Sequence, residues 1–125
     1  MRSPMRSTTD LRPSLRKMND AEKRSLLSMI GICKKAGAAV SGTDMICEAL
    51  RRGAEAPAVV IISEDASKNT EKRLTDKCKF YGTEAIKVPV SSSELGDALG
   101  KSGTVAAVGI TDAGLAEAVK KKINL

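Results

Sequence analysis

Residues 57–63 read PAVVIIS: a proline, an alanine, four β-branched apolar residues and a serine, followed by the acidic pair Glu64 and Asp65. A strand with one wet face would alternate apolar and polar side chains, and this run does not, so it predicts a central strand covered on both faces. Such a strand requires a helical layer on each side of the sheet. The rest of the chain supplies the candidates.

Upstream, Leu26, Leu27, Ile30 and Cys33 fall at helical spacing between Asp20 and Ala36, and Gly37 follows as a stop. After a short extended piece over 38–41, Ile46, Ala49, Leu50 and Gly53 recur at i, i+3, i+4 and i+7. This predicts a second helix that packs through that stripe and turns Asp44, Glu48, Arg51 and Arg52 to solvent. Downstream, Ser67 is placed to cap a third helix with the stripe Leu74, Cys78 and Tyr81, closed by Gly82. AIKV at 85–88 reads as a strand broken by Pro89, and Ser91 with Glu94 has capping-box spacing ahead of Leu95, Ala98, Leu99 and the stop at Gly100. VAAVGI at 105–110 is the last strand. Thr111 or Asp112 then caps a helix packed by Leu115, Ala118, Val119 and Ile123, with Lys120, Lys121 and Lys122 near its negative end. Strands alternating with helices of this size predict a single α/β domain over residues 18–125, a central four-stranded sheet with helices on both faces and function in the loops at the strand ends.

Phe80 and Tyr81 are the only aromatics among 125 residues, so the core must be built from aliphatic side chains, and base stacking on aromatic platforms is excluded as the main way of binding nucleic acid. The net charge of +6 favours a phosphate-rich partner. Most of it lies in residues 1–17, where Arg2, Arg6, Arg12, Arg16 and Lys17 stand against Asp10 alone. This proline- and serine-containing segment is expected to be a disordered basic arm, or an upstream extension, since MNDAEKR from Met18 makes a natural start. It lacks the apolar centre of a secretory signal, and no apolar run reaches membrane-spanning length; a cytoplasmic protein with no membrane partner is the expectation. Cys33, Cys47 and Cys78 have neither zinc-site nor disulfide spacing and read as small buried thiols.

LGDALGKSG, residues 95–103, imitates a phosphate-binding loop, but the glycine spacing is wrong and the segment follows a helix instead of leading from a strand into one. Glu64, Asp65 and Asp112 suggest a magnesium cluster until their positions are considered: each stands where a helix begins and a carboxylate is wanted for capping. With no histidine in the chain, the commonest general base is missing. The expectation is a protein without catalytic residues, metal or cofactor. Gly42 and Thr43 open the second helix, where unsatisfied amides can hold a phosphate or where the same residues serve as a simple turn and cap.

Five segments in this order, SGTDMICEALRRG, VVIISEDAS, LTDKCKFYG, ELGDALGKS and VAAVGITDAG, resemble the kink-turn-binding ribosomal protein family named for L-seven-Ae and L-thirty-e, in particular its short bacterial YlxQ-like members. The resemblance spans Asp20 to Ile123. It implies a three-layer α-β-α sandwich whose second helix enters the widened groove of an RNA kink-turn while the loop before the last strand packs on the extruded base. Carried onto this chain, the helix contacts fall on Gly42, Thr43, Asp44, Met45, Glu48 and Arg52, and the loop contacts on Lys101, Ser102, Gly103, Thr104 and Val105. The implied partners are structured RNA, in particular ribosomal RNA with a kink-turn, and the ribosome. The chain departs from the family pattern of asparagine then glutamate at Asp44 and Met45, and of lysine at Glu48. Glutamate repels phosphates where lysine attracts them, so the alternative expectation is a protein-interaction adaptor that keeps the fold and has lost kink-turn specificity.

Overall fold

The computed structural model describes residues 18–53 and 56–123; the expected basic arm over 1–17 lies outside them. Five helices and four strands follow in the order α1 (Asp20–Lys35), β1 (Ala39–Ser41), α2 (Thr43–Arg52), β2 (Val59–Ile62), α3 (Lys68–Tyr81), β3 (Glu84–Lys87), α4 (Ser92–Ala98), β4 (Ala107–Ile110) and α5 (Ala113–Ile123). The strands form one sheet in the order β1-β4-β2-β3. β4 is antiparallel to both β1 and β2, while β2 and β3 are parallel. The parallel pair needs a crossover, and α3 supplies it.

The PAVVIIS run is buried as its composition requires, and its two faces meet different helical layers. Val59 and Ile61 join the core beneath α1, α4 and α5, whereas Val60 and Ile62 join the one beneath α2 and α3. These alternate sides of a pleated strand complete the three-layer sandwich. Four helices begin on side-chain caps. Asn19 and Ser91 each close a full capping box, Ser67 accepts from the Thr70 N–H, and Asp112 rather than Thr111 accepts from the Leu115 N–H at 2.9 Å.

The expected helix stripes need three corrections. In α2, Gly53 is exposed at the C-terminal cap, and Cys47 is buried with Ile46 and Leu50. The helix rests on the sheet and on α3 together, so its inner face is wider than a single stripe. In α5 the buried alanine is Ala116, with Ala118 half-buried. Tyr81 stays 39% exposed, and the buried side chains of α3 are Leu74 and Cys78. All three cysteines are buried free thiols, as their spacing suggests. Burial, with Cys47 adding to it, pushes the Cys78 thiol up to about 11. No helix among the described residues is long and apolar enough to cross a membrane.

Candidate nucleic-acid interface

Because β1, β2 and β3 point the same way and β4 runs against them, the C-terminal ends of the first three share one rim of the sheet with the start of β4. The opening of α2 therefore lies at the rim where the chain enters β4. The Gly42 N–H donates to the Ala107 carbonyl at 3.1 Å, and on the far side of β4 the Ser63 N–H donates to Ala106 at 2.8 Å. Gly42, Thr43, Asp44 and Met45 are thus brought to the same rim as Lys101, Ser102, Gly103 and Thr104.

The opening of α2 differs from that of the other four helices. Its N-cap is Gly42, at φ 96° and ψ 142°, and no side chain caps the first turn. An L side chain rarely adopts that conformation, so glycine is what allows the strand to turn straight into the helix. The first-turn amides have no side-chain cap and carry the positive end of the helix dipole.

The loop is fastened to α4. The Lys101 N–H donates to the Gly96 carbonyl at 2.8 Å and the Val105 N–H to the Ser92 carbonyl at 3.0 Å. Gly96 permits close contact, since a Cβ there would lie 2.0 Å from the Gly103 carbonyl oxygen. Lys101, Ser102, Gly103 and Thr104 are exposed, whereas the Val105 side chain turns into the core and anchors the loop.

Glu48 and Arg52 lie further along α2, where with Gly37, Val40, Met45, Ala49 and Thr111 they line a shallow depression of about 170 Å³ beside the edge strand β1. Glu48 is half-buried there, not fully turned to solvent, while Met45 is 61% exposed. Both acids of the helix have cationic partners. Asp44 accepts from Arg73 of α3 at 2.9 Å, a bond that raises the guanidinium pKa, and Glu48 pairs with Arg51. Arg52 and Lys101 form no ion pair among the described residues. Arg73 was beyond the reach of sequence pattern, because its partner lies 29 positions away. Gly96 left a signal, a glycine inside a helical pattern, which usually marks a close approach.

Of the acidic residues at the strand ends, Asp65 and Asp112 serve as caps. Asp65 accepts from the Ser92 N–H at 2.9 Å and from the Ser92 hydroxyl at 3.0 Å, tying the β2–α3 turn to the start of α4. The Ser92 N–H is the main cause that holds the Asp65 carboxyl below its ordinary value. A lowered folded pKa contributes stability above the unfolded value and loses it as pH falls through the folded one. Asp65→Asn should therefore be less stable than the native chain at pH 7, with the gap in urea midpoint narrowing below about pH 4. A gap constant down to pH 2.5 would contradict this role. Asp112 is engaged at the start of α5, and among the described residues no three His, Cys, Asp or Glu side chains gather as a metal site.

Residues 24–120 match the ribosomal protein L7Ae/L30e/S12e/Gadd45 family. RNA-binding protein YlxQ of Bacillus subtilis (strain 168) is 38% identical over 88 residues, covering 70% of this chain and 84% of that protein. RNA-binding protein YlxQ of Enterococcus faecium is 29% identical over 107 residues, covering 86% and 99%. Among solved structures, a protein of unknown function from Bacillus halodurans C superposes with a TM-score of 0.72 at 30% identity, over 80% of this chain and 97% of that one. The Giardia lamblia 15.5kD RNA binding protein superposes at 0.68 and 21% identity, over 89% and 92%, a likeness of fold.

Proposed function

The chain belongs to the ribosomal protein L7Ae/L30e/S12e/Gadd45 family, and from that premise we propose that it is an RNA-binding protein, not an enzyme, that grips a kink-turn in ribosomal RNA and works on the ribosome in the cytoplasm. The observation that carries this reading is the meeting of an uncapped helix opening and a fastened loop on one rim. Phosphate oxygens accept from the α2 amides, where the helix dipole favours negative charge. Arg52 and Lys101 add counterion release. The extruded base rests on the Gly103–Thr104 backbone and the exposed Met45, which serve here in place of an aromatic ring.

The acids weaken this grip less than their charge suggests. The Arg73–Asp44 and Arg51–Glu48 pairs are solvent-exposed, and such pairs are worth about 0–1 kcal/mol, so an arriving phosphate can take over either arginine at small cost. Titration against a kink-turn RNA and a straight duplex of matched length tests the proposal. Tighter binding to the kink-turn is expected, and Arg52→Ala or Lys101→Ala should each reduce the slope of log K against log salt by about 1. Equal weak affinity for both RNAs would remove kink-turn specificity. The mixed charge of Asp44, Glu48, Arg51 and Arg52 on one exposed helix supports a second reading, an adaptor for protein, which requires a partner that survives ribonuclease treatment.

A further inference from the structure

The two aromatic residues of the chain are adjacent in the last turn of α3 and neither belongs to the core. Phe80 is 79% exposed, and Tyr81 holds it edge-on with ring centroids 4.9 Å apart and planes at 87°. α2 and α3 both start at the site rim and run towards the opposite end of the sheet, so Phe80 stands about 20 Å from that rim, the length of a 14-residue helix. The charged residues nearest the ring in sequence are Asp76, Lys77, Lys79 and Glu84, and both acids among them are paired, Asp76 with Lys72 and Glu84 with Lys120. The two acids of α3 are already engaged, Glu71 by Lys87 and Asp76 by Lys72, whereas the exposed Lys77 and Lys79 have no ion-pair partner among the described residues.

We propose that Phe80, steadied by Tyr81 and flanked by Lys77 and Lys79, is a second RNA contact that stacks one unpaired base of a single strand leaving the main site. A face-accessible ring among uncompensated lysines complements a polyanion that carries π-faces. An apolar protein surface would instead have to strip water from both ammonium groups. Duplex RNA does not fit, because its base faces are already stacked on one another. At the roughly 3.4 Å per nucleotide of a stacked strand, about 20 Å takes about six nucleotides, and an extended unpaired strand needs fewer. The inference rests on the RNA-binding reading and adds the strandedness of the flanking RNA. It is compatible with the aromatic-poor composition, since stacking is here an auxiliary contact at one point.

Three probes separate the cases: a kink-turn RNA with flush ends, the same RNA with a tail of about eight unpaired adenosines at each end, and free octa-adenylate. The tails should strengthen binding about tenfold, the worth of one base stacked on an aromatic ring. Phe80→Ala should abolish that gain with affinity for the flush RNA and melting temperature unchanged, and Phe80→Trp should retain it. Octa-adenylate should quench the Tyr81 fluorescence of the native chain, and less so after Phe80→Ala. Absence of a tail-dependent gain, or a gain that survives Phe80→Ala, overturns the proposal, as does a ribonuclease-resistant protein partner lost with Phe80. Failure of the main-site reading is told apart because it abolishes preference for the flush kink-turn RNA, whereas octa-adenylate reports on Phe80 alone.

Discussion

Replacing Gly96 by alanine should lower stability by about 1–3 kcal/mol, the usual cost of overpacking, and weaken RNA binding about tenfold although no atom of Gly96 needs to touch RNA. The added Cβ would lie 2.0 Å from the Gly103 carbonyl oxygen, 3.1 Å from its carbonyl carbon and 3.6 Å from the Thr104 Cα. All three are backbone atoms, so no side chain can swing aside and the loop itself must move. That movement strains the bonds from Lys101 to Gly96 and from Val105 to Ser92 that hold the loop at the rim. Urea unfolding and RNA titration of the same variant give both effects, with Ser102→Ala, an exposed change in the same loop, as the comparison. A stable Gly96→Ala protein with native affinity would show that the loop adapts freely and does not position the base.

Glu48→Lys should strengthen binding to a kink-turn RNA about tenfold or more and steepen the salt dependence by about 1 to 2. Glu48 shares the depression beside β1 with Met45 and Arg52, so the change replaces a repulsive charge with an attractive one and frees Arg51 for phosphate as well. The lost pair is exposed, with 65% and 45% of the two side chains accessible, so stability should change by less than about 1 kcal/mol. Binding isotherms at several salt concentrations check both numbers. If Glu48→Lys leaves affinity unchanged or reduces it, α2 does not face the RNA backbone, and the adaptor reading gains.

Most of the fold was legible because each element carries its own local signal. PAVVIIS lacks alternation because its two faces really are in different cores, and Ser67, Ser91 and Glu94 announce helix starts through bonds spanning three residues. The errors fall where burial depends on which neighbour a helix meets. Cys47 goes inward because α3 covers that flank of α2, and Tyr81 stays partly out because the last turn of α3 turns Cys78, not Tyr81, towards the core. The positions proposed to face RNA could be named only through family resemblance, since Gly42 and Thr43 read equally well as an ordinary turn. Their environment was not available from the sequence: Arg73 neutralises Asp44 from another helix, and Val105 lies inward beneath its loop.

The alternation of strands and helices, the caps, the aliphatic core and the lack of a histidine base all follow from residue type and from spacing within a turn or a strand. Only the packing of the elements brings the α2 opening and the 101–104 loop to one rim, makes Gly96 hold that loop, pairs Asp44 with Arg73 and leaves the two adjacent aromatics on the surface. The physical reason is that local preferences act over three or four residues, whereas the rim is created by antiparallel pairing of β1 with β4, whose partners Ser41 and Val108 are far apart in the chain. Charge shows the same division: composition gives the net value and i,i+3 spacing pairs Glu48 with Arg51, but only the packing of α2 on α3 pairs Asp44 with Arg73.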